Sequence, residues 1–517
     1  MMNNEKLQLL RELVRSGNTA GIAELFRREI ELDRNNLQTY QVFTDVYLKY
    51  FDRKSALEAI TLMGKLPRQA INYDQLRKIH DYYKSTGCFD IAMLTAKVMR
   101  MAAGNDPQRL VQAGTELGSL RLHDEALKCF EKLVKKKPDD PVANFLMGTA
   151  QNSCNKPAGA ETSFKRCISL NSAFYPAYLS LSQLKKQRDS SNHLDSLKKR
   201  LKESNGDPAA SRFLNFALAK ELDDLGRSDE SFACLSAAND VVRLAQPYDH
   251  SIEQDTFEKV VACYTKLKAR GVTGNDSSAP VFIVGMPRSG TTLVERVLAA
   301  SDSVYAGGEL HDFIGQFVYQ YGLLPERQNL PAIFGKAHQF DYRKIGKGYV
   351  DSVLSRSSGR PVFTDKMPFN FRYLGFIRAA LPNCKIIHIQ RSSQATLLSN
   401  YQQNYRAGIN LWSYDKAAAR KYFELYQDYM NYWKAEIPNG FLNIQYEELV
   451  QDFEAVSRKL YEYCGIEWTD ECLRFNEINV HSGTQSSAQV RQPIYTTSLN
   501  KWKDYSAHLS EWSDLGS

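Results

Sequence analysis

Residues 285–292 read Gly-Met-Pro-Arg-Ser-Gly-Thr-Thr, after the β-type run PVFIV and at the start of the helical pattern TTLVERVL. A tight turn that opens a helix aims several unpaired backbone N–H groups at one point, where the helix dipole also favours negative charge. Pro287, Arg288, Ser289, Gly290, Thr291 and Thr292 are therefore candidates to grip a phosphate. The spacing is that of the nucleotide-binding loop G-x-x-x-x-G-K-[ST], but Thr291 stands where that pattern has its lysine. In ATP-using loops this lysine reaches the β- and γ-phosphates. Without it, an ATPase or GTPase loses its main electrostatic part, and Arg288 remains at the tip of the turn.

The turn resembles the 5′-phosphosulfate loop of sulfotransferases. Their donor, 3′-phosphoadenosine 5′-phosphosulfate, carries a single 5′-phosphate bearing the sulfuryl group. The resemblance implies that donor, 3′,5′-adenosine bisphosphate as product, and no metal. The same family reads the 3′-phosphate with an arginine just after a strand and a serine eight residues later. KIIHIQRSSQATLLSNYQQNY supplies Arg391 and Ser399 at that spacing. Eight residues are just over two helical turns, so both groups can face one side.

The resemblance covers about 280–505 and points to the tyrosylprotein sulfotransferases and their bacterial relatives that carry tetratricopeptide repeats. It implies Glu309 in YAGGELHDF as the catalytic base, Lys366 in FTDKMPFNF as a transition-state lysine and Tyr446 in NIQYEEL as an adenosine contact. It makes SSAQVRQPIYTTSLNKW the loop that covers the donor, through Ser486, Gln489, Val490 and, just before Trp502, Lys501. Arg288, Lys366 and Ser486 then surround the leaving phosphate and the transferring group. Three features depart from the tyrosylprotein enzymes. Gln403 replaces a second arginine, their disulfide cysteines have no counterparts, and Leu-His-Asp follows Glu309.

Sulfuryl transfer is an in-line displacement, assisted chiefly by alignment and by charge placed where it moves. The acceptor hydroxyl must lose a proton, the role expected of Glu309, with His311 as the rival base. Tyr401, Tyr405 and Trp412 either line an aromatic acceptor pocket or belong to the core. His388, inside an apolar strand, reads as a core histidine.

The elements that must hold these residues follow from periodicity. PVFIVG, RPVFTDK, CKIIHIQR and GFLNIQY are short apolar, β-branched runs alternating with helical patterns, which implies a parallel sheet covered on both faces. Upstream the pattern changes. DPQRLVQAGTELGSLRLHDEALKCFEKL from Asp106 and DPVANFLMGTAQNSCNKPAGAETSFKRC from Asp140 align at an offset of 34 residues, placing Pro107, Gly114, Ala126 and Phe130 over Pro141, Gly148, Ala160 and Phe164. That is the tetratricopeptide period, and its small residues let paired helices approach. The expected fold is an α-solenoid of tetratricopeptide-like helix pairs over 1–270, then an α/β P-loop-like sulfotransferase domain with a central parallel sheet over 271–517.

At 517 residues the chain is long enough for at least two domains. A formal charge of +7 suits a local anion site, and the absence of zinc-ligand and RNP-like motifs argues against nucleic acid. No apolar run is long enough to span a membrane. Nine scattered cysteines form no disulfide pattern, so a cytoplasmic location is expected.

The leading expectation is sulfation of protein or peptide tyrosine, with the repeats holding that acceptor or forming a dimer contact. Glycan, lipid and small-metabolite hydroxyls are the alternative acceptors. A nonenzymatic scaffold with a nucleotide-binding domain is the alternative of another class.

Overall fold

A computed structural model of the chain describes residues 4–49, 52–321, 330–475 and 497–516. Helices follow one another from Asn4 to Arg270. Asp-Pro steps open three of them, Pro107–Ser119, Pro141–Ser153 and Pro208–Asp224. In each, the aspartate carboxylate accepts a hydrogen bond from a first-turn N–H, and proline takes the first helical position, where its missing N–H costs nothing. Each packs on the helix that follows, respectively His123–Lys136, Pro157–Leu170 and Ser228–Ala245.

The aligned glycines lie where those paired helices touch. A Cβ on Gly114 would come within 2.6 Å of the Phe130 ring, and one on Gly148 within 2.7 Å of the Phe164 ring. The repeat spacing in the sequence is thus a repeat in packing.

By contacts the chain divides into two compact units. One comprises Met1–Pro138, His311–Pro325 and Asp351–Arg356; the other comprises Asp139–Leu310, Glu326–Val350 and Ser357–Ser517. The first unit contains buried ion pairs, Arg53 with Asp90 at 2.5 Å and Arg356 with Asp312 at 2.7 Å. Its Gly87 meets Gly315 backbone to backbone, where a Cβ on Gly87 would lie 2.4 Å from the Gly315 Cα.

The second unit holds the later helix pairs together with a five-stranded parallel sheet. Its strands are β1 (Pro280–Gly285), β2 (Val304–Ala306), β3 (Val362–Asp365), β4 (Lys385–Gln390) and β5 (Leu442–Gln445), in the order β2-β3-β1-β4-β5. β1 is buried at every position, as a central parallel strand must be. Val281 and Ile283 of β1, Ile387 and Ile389 of β4, and Ile444 of β5 form one apolar core with Val294, Val297 and Leu298 of the helix Thr291–Leu298. Gly285 is level with Ile389, and Ala306 with Thr364, so several strands end together at one edge.

Helical periodicity gives way to strand–helix alternation between Arg270, where the helix His250–Arg270 ends, and Pro280. Among the described residues no helix is long and apolar enough to cross a membrane, and none of the nine cysteines is in a disulfide.

Candidate functional site

Each strand delivers one candidate residue within three positions of its C-terminal end. β1 is followed by Arg288, β2 by Glu309, β3 by Lys366, β4 by Arg391 and β5 by Tyr446. From β1 the chain goes to the edge strand β2, steps back to β3 beside β1, and then crosses to the other side of β1 at β4. The crevice beyond the ends of β1 and β4 is therefore the topological switch point, where open α/β sheets bind ligands.

The turn after β1 is held in an unusual shape. Gly285 has φ of 153° and Gly290 of 108°, and Arg288 adopts the left-handed region at φ 69°. A non-glycine residue there costs about 1–2 kcal/mol, so the surroundings must impose it. They do so from the helix Ser393–Tyr401 and the end of β4. Arg288 Nε donates to Ser399 Oγ at 3.0 Å, Arg391 donates to the Arg288 carbonyl at 3.2 Å, and the Asn400 amide donates to the Pro287 carbonyl at 2.8 Å. Tyr405 in turn donates its hydroxyl to Asn400 Oδ1 at 2.7 Å.

Room for a ligand is set by close approaches. A Cβ on Gly290 would lie 2.4 Å from the Tyr446 ring, and the Arg391 guanidinium covers the same ring at 4.6 Å from its centre. Ser289 is 1% exposed, and its Oγ has no hydrogen-bond partner among the described residues. Buried hydroxyls are normally paired, and a phosphate oxygen held in the turn would supply that partner. The residues present therefore fit an anionic group at the helix N-terminus formed by Thr291 and Thr292.

Glu309 and Lys366 meet directly. Lys366 is 1% exposed, and its Nζ lies 2.7 Å from Glu309 Oε1. Both are positioned by backbone bonding just past the strand ends, with the Lys366 N–H donating to the Gly308 carbonyl at 2.8 Å and the Gly307 N–H to the Thr364 carbonyl at 3.1 Å. Tyr405 belongs to the same neighbourhood. Burial pushes its phenol well above the usual value, Arg288 pulls it down, and Glu309 raises it.

His311 falls in the other compact unit, with its ring 6.0 Å from that of Phe89. Tyr401 stacks on Phe232 at 5.6 Å and Trp412 on Tyr422 at 4.5 Å, so both serve as core. His388 bonds Asn443 and Tyr426 through its two ring nitrogens at 2.7 and 2.5 Å. Lys501 is ion-paired with Asp223 of the helix Pro208–Asp224, in a C-terminal segment where His508 stacks on Phe232 at 4.3 Å. Ser486, Gln489 and Val490 lie outside the described residues.

Two residues that sequence reasoning missed are structurally prominent. Asn400 follows Ser399 and braces the turn, and Glu295 is a carboxylate only 7% exposed on a helix packed in the apolar core. The signal for Glu295 was available, since it is an acidic residue in TTLVERVL, a helix whose leucines and valines mark it for packing against the sheet.

Residues 280–470 match the family described as "Sulfotransferase family". An uncharacterized protein of Aquifex aeolicus (strain VF5) is 32% identical over 310 residues, 57% of this chain and 40% of its own length. Protein-tyrosine sulfotransferase A of Caenorhabditis elegans is 25% identical over 236 residues, 44% of this chain and 62% of its own length. The chain thus spans less than two thirds of either relative. Among solved structures, the sulfotransferase domain of the Synechococcus PCC 7002 olefin synthase aligns with 44% of this chain and 89% of its own, at 19% identity and a TM-score of 0.33.

Proposed function

We propose, for a chain whose C-terminal half carries a sulfotransferase-family domain, that it transfers a sulfuryl group from 3′-phosphoadenosine 5′-phosphosulfate to a tyrosine hydroxyl of a protein or peptide. The observation that carries this reading is the lysine-less turn braced by Arg288–Ser399 and Arg391, next to a Lys366–Glu309 pair whose lysine is buried and whose carboxylate is partly exposed. When bound, the donor supplies the sulfuryl group on a 5′-phosphate that departs as part of 3′,5′-adenosine bisphosphate.

The chain's own residues have separate tasks. The N–H groups of the turn and of Thr291 and Thr292 hold the 5′-phosphate, with Arg288 near the bond that breaks. Arg391 and Ser399 hold the 3′-phosphate, and Tyr446 lies beside the base. Glu309 takes the proton from the acceptor hydroxyl at a carboxylate oxygen. Lys366 fixes that carboxylate by its 2.7 Å contact and brings a positive charge to the phosphate as it leaves. Charge that gains value as the bond breaks lowers the barrier, whereas charge that only binds does not.

Support for tyrosine as acceptor comes from the protein-tyrosine sulfotransferase named among the relatives. The helix pairs suit this reading as well, because stacked pairs offer an extended surface to a peptide segment. The test is incubation with 35S-labelled donor and four acceptor classes: tyrosine peptides, glycans, lipids and small phenols. Label on peptide tyrosine supports the reading. Label confined to another class replaces the acceptor, and no transfer to any hydroxyl refutes the function.

A further inference from the structure

We infer that Glu295 is a positioning residue that locks the turn before Glu309 and the end of β3 before Lys366 onto the phosphate-loop helix; this rests on the sulfotransferase reading. Glu295 lies in the middle of the helix Thr291–Leu298, among residues that are all buried. A carboxylate is costly in such surroundings unless it is hydrogen-bonded. Its Oε1 accepts the Gly308 N–H at 2.8 Å and the Thr364 hydroxyl at 3.0 Å. Gly308 immediately precedes Glu309, and Thr364 is two residues before Lys366.

One oxygen therefore ties together three segments that each deliver a site residue. The bonding around it is continuous. Gly307 N–H donates to the Thr364 carbonyl and Lys366 N–H to the Gly308 carbonyl, which carries the β2–β3 pairing beyond the ends of both strands. Gly307 is pressed so closely that a Cβ would lie 2.3 Å from the Thr364 carbonyl oxygen. With the backbone at Gly308 and Thr364 fixed to one acceptor, the Lys366–Glu309 contact follows from the chain path, and its distance from the phosphate loop is set through the helix.

This assigns Glu295 to turnover rather than to donor affinity, because its bonds reach Gly308 and Thr364, the neighbours of Glu309 and Lys366, and among the described residues none goes to Arg391, Ser399 or Tyr446. The test measures kcat with labelled donor, and affinity from the 3′,5′-adenosine bisphosphate concentration giving half the thermal shift, for four variants. Glu295→Ala should lower kcat about a hundredfold, the scale of a small misplacement of reacting groups, and leave the half-shift concentration within about threefold of wild type. Glu295→Gln, which keeps an acceptor oxygen in place, should restore most of the rate, whereas Glu295→Asp, one methylene short, should not. Thr364→Val removes the hydroxyl's bond to Glu295 and the one it accepts from the Gly307 N–H at 3.3 Å, the latter N–H keeping its bond to the Thr364 carbonyl, and should cost about tenfold or less, roughly one net hydrogen bond; it and the Gln–Asp contrast decide the matter if the alanine variant does not fold.

The inference is overturned if Glu295→Ala weakens bisphosphate binding in step with kcat, or if Glu295→Gln is as slow as Glu295→Asp. A wild-type protein that neither binds the bisphosphate nor transfers label fails at the sulfotransferase reading itself. A wild type that does both while every Glu295 variant matches it fails at the positioning role alone.

Discussion

Gly148 in the helix pairs and Gly290 in the phosphate turn are both glycines because a Cβ would collide, yet they solve different problems. At Gly148 the obstacle is the Phe164 ring, 2.7 Å from the missing Cβ, in ordinary helical backbone. At Gly290 the Tyr446 ring stands 2.4 Å away and the backbone itself is left-handed at φ 108°. In the repeats, glycine lets two helices close, and a neighbouring ring can shift. In the candidate site, glycine sets the direction of the N–H groups at the helix start, where the proposed function puts the donor phosphate. Disturbing the first region should therefore affect stability, and disturbing the second should affect binding or turnover.

The sharpest break of that contrast is Glu309→Gln. It should lower kcat by about a hundred- to ten-thousand-fold, the usual weight of a general base, while the melting temperature and the bisphosphate shift remain as in wild type. Normal turnover in a folded Gln variant would remove Glu309 from the base role. Next comes Gly290→Ala, where left-handed strain of about 1–2 kcal/mol adds to displacement of Tyr446. Bisphosphate affinity, read from the thermal shift, should fall by about tenfold or more.

Gly148→Ala should be milder in kind. Overpacking costs about 1–3 kcal/mol, so the melting temperature drops while kcat per folded molecule and bisphosphate affinity are unchanged. A Gly148 variant that lost donor affinity at full folding would erase the distinction between the regions.

The smallest effect separates them by pH. Burial lowers His388 of β4 from the usual 6.5 to about 4, with the Asn443 bond opposing part of that shift. The unfolded chain therefore binds a proton that the folded chain refuses. The stability it contributes is complete above pH 6.5 and is lost as pH falls toward 4.

Glu116, in the helix Pro107–Ser119, is held down to about 2 from 4.5, first by its bond to His80 and then by Lys84, against desolvation. Its contribution is complete above pH 4.5 and lost toward pH 2. Acid titration followed by hydrogen exchange should thus show the strand region losing protection before that helix. His388→Gln should flatten the early slope and Glu116→Gln the later one. Coincident loss in both regions, unmoved by either change, would contradict this assignment.

What the sequence made legible had a local pattern. The turn after β1 is contiguous, and each of these strand ends is a short β-branched run followed within three positions by its candidate residue, so the placement of Arg288, Lys366, Arg391 and Tyr446 at strand ends could be read without knowing how the strands pair. The glycines of the repeats were legible because they recur at a fixed offset.

Features made by distant contacts were not. Nothing near His311 announces that it groups with the N-terminal unit, because its Phe89 neighbour is more than two hundred residues away. Glu295 and Asn400 act through bonds to Gly308, Thr364 and Pro287, and no spacing along the chain encodes those partners. Lys501 has the sequence context of a donor contact, yet its ammonium meets Asp223, which only the docking of the C-terminal segment onto the helix Pro208–Asp224 brings near.

The central claim is that a turn without lysine, braced by Arg391, recognises an adenosine bisphosphate and needs no divalent ion. Thermal unfolding of the wild type and Arg391→Ala, each with 3′,5′-adenosine bisphosphate or with ATP and magnesium, tests it most directly. The account predicts stabilisation of the wild type by the bisphosphate alone, worth about 2.7 kcal/mol at a hundred times its dissociation constant, with no gain from magnesium and none in Arg391→Ala. A shift produced by ATP with magnesium, or a bisphosphate shift that survives in Arg391→Ala, would contradict it.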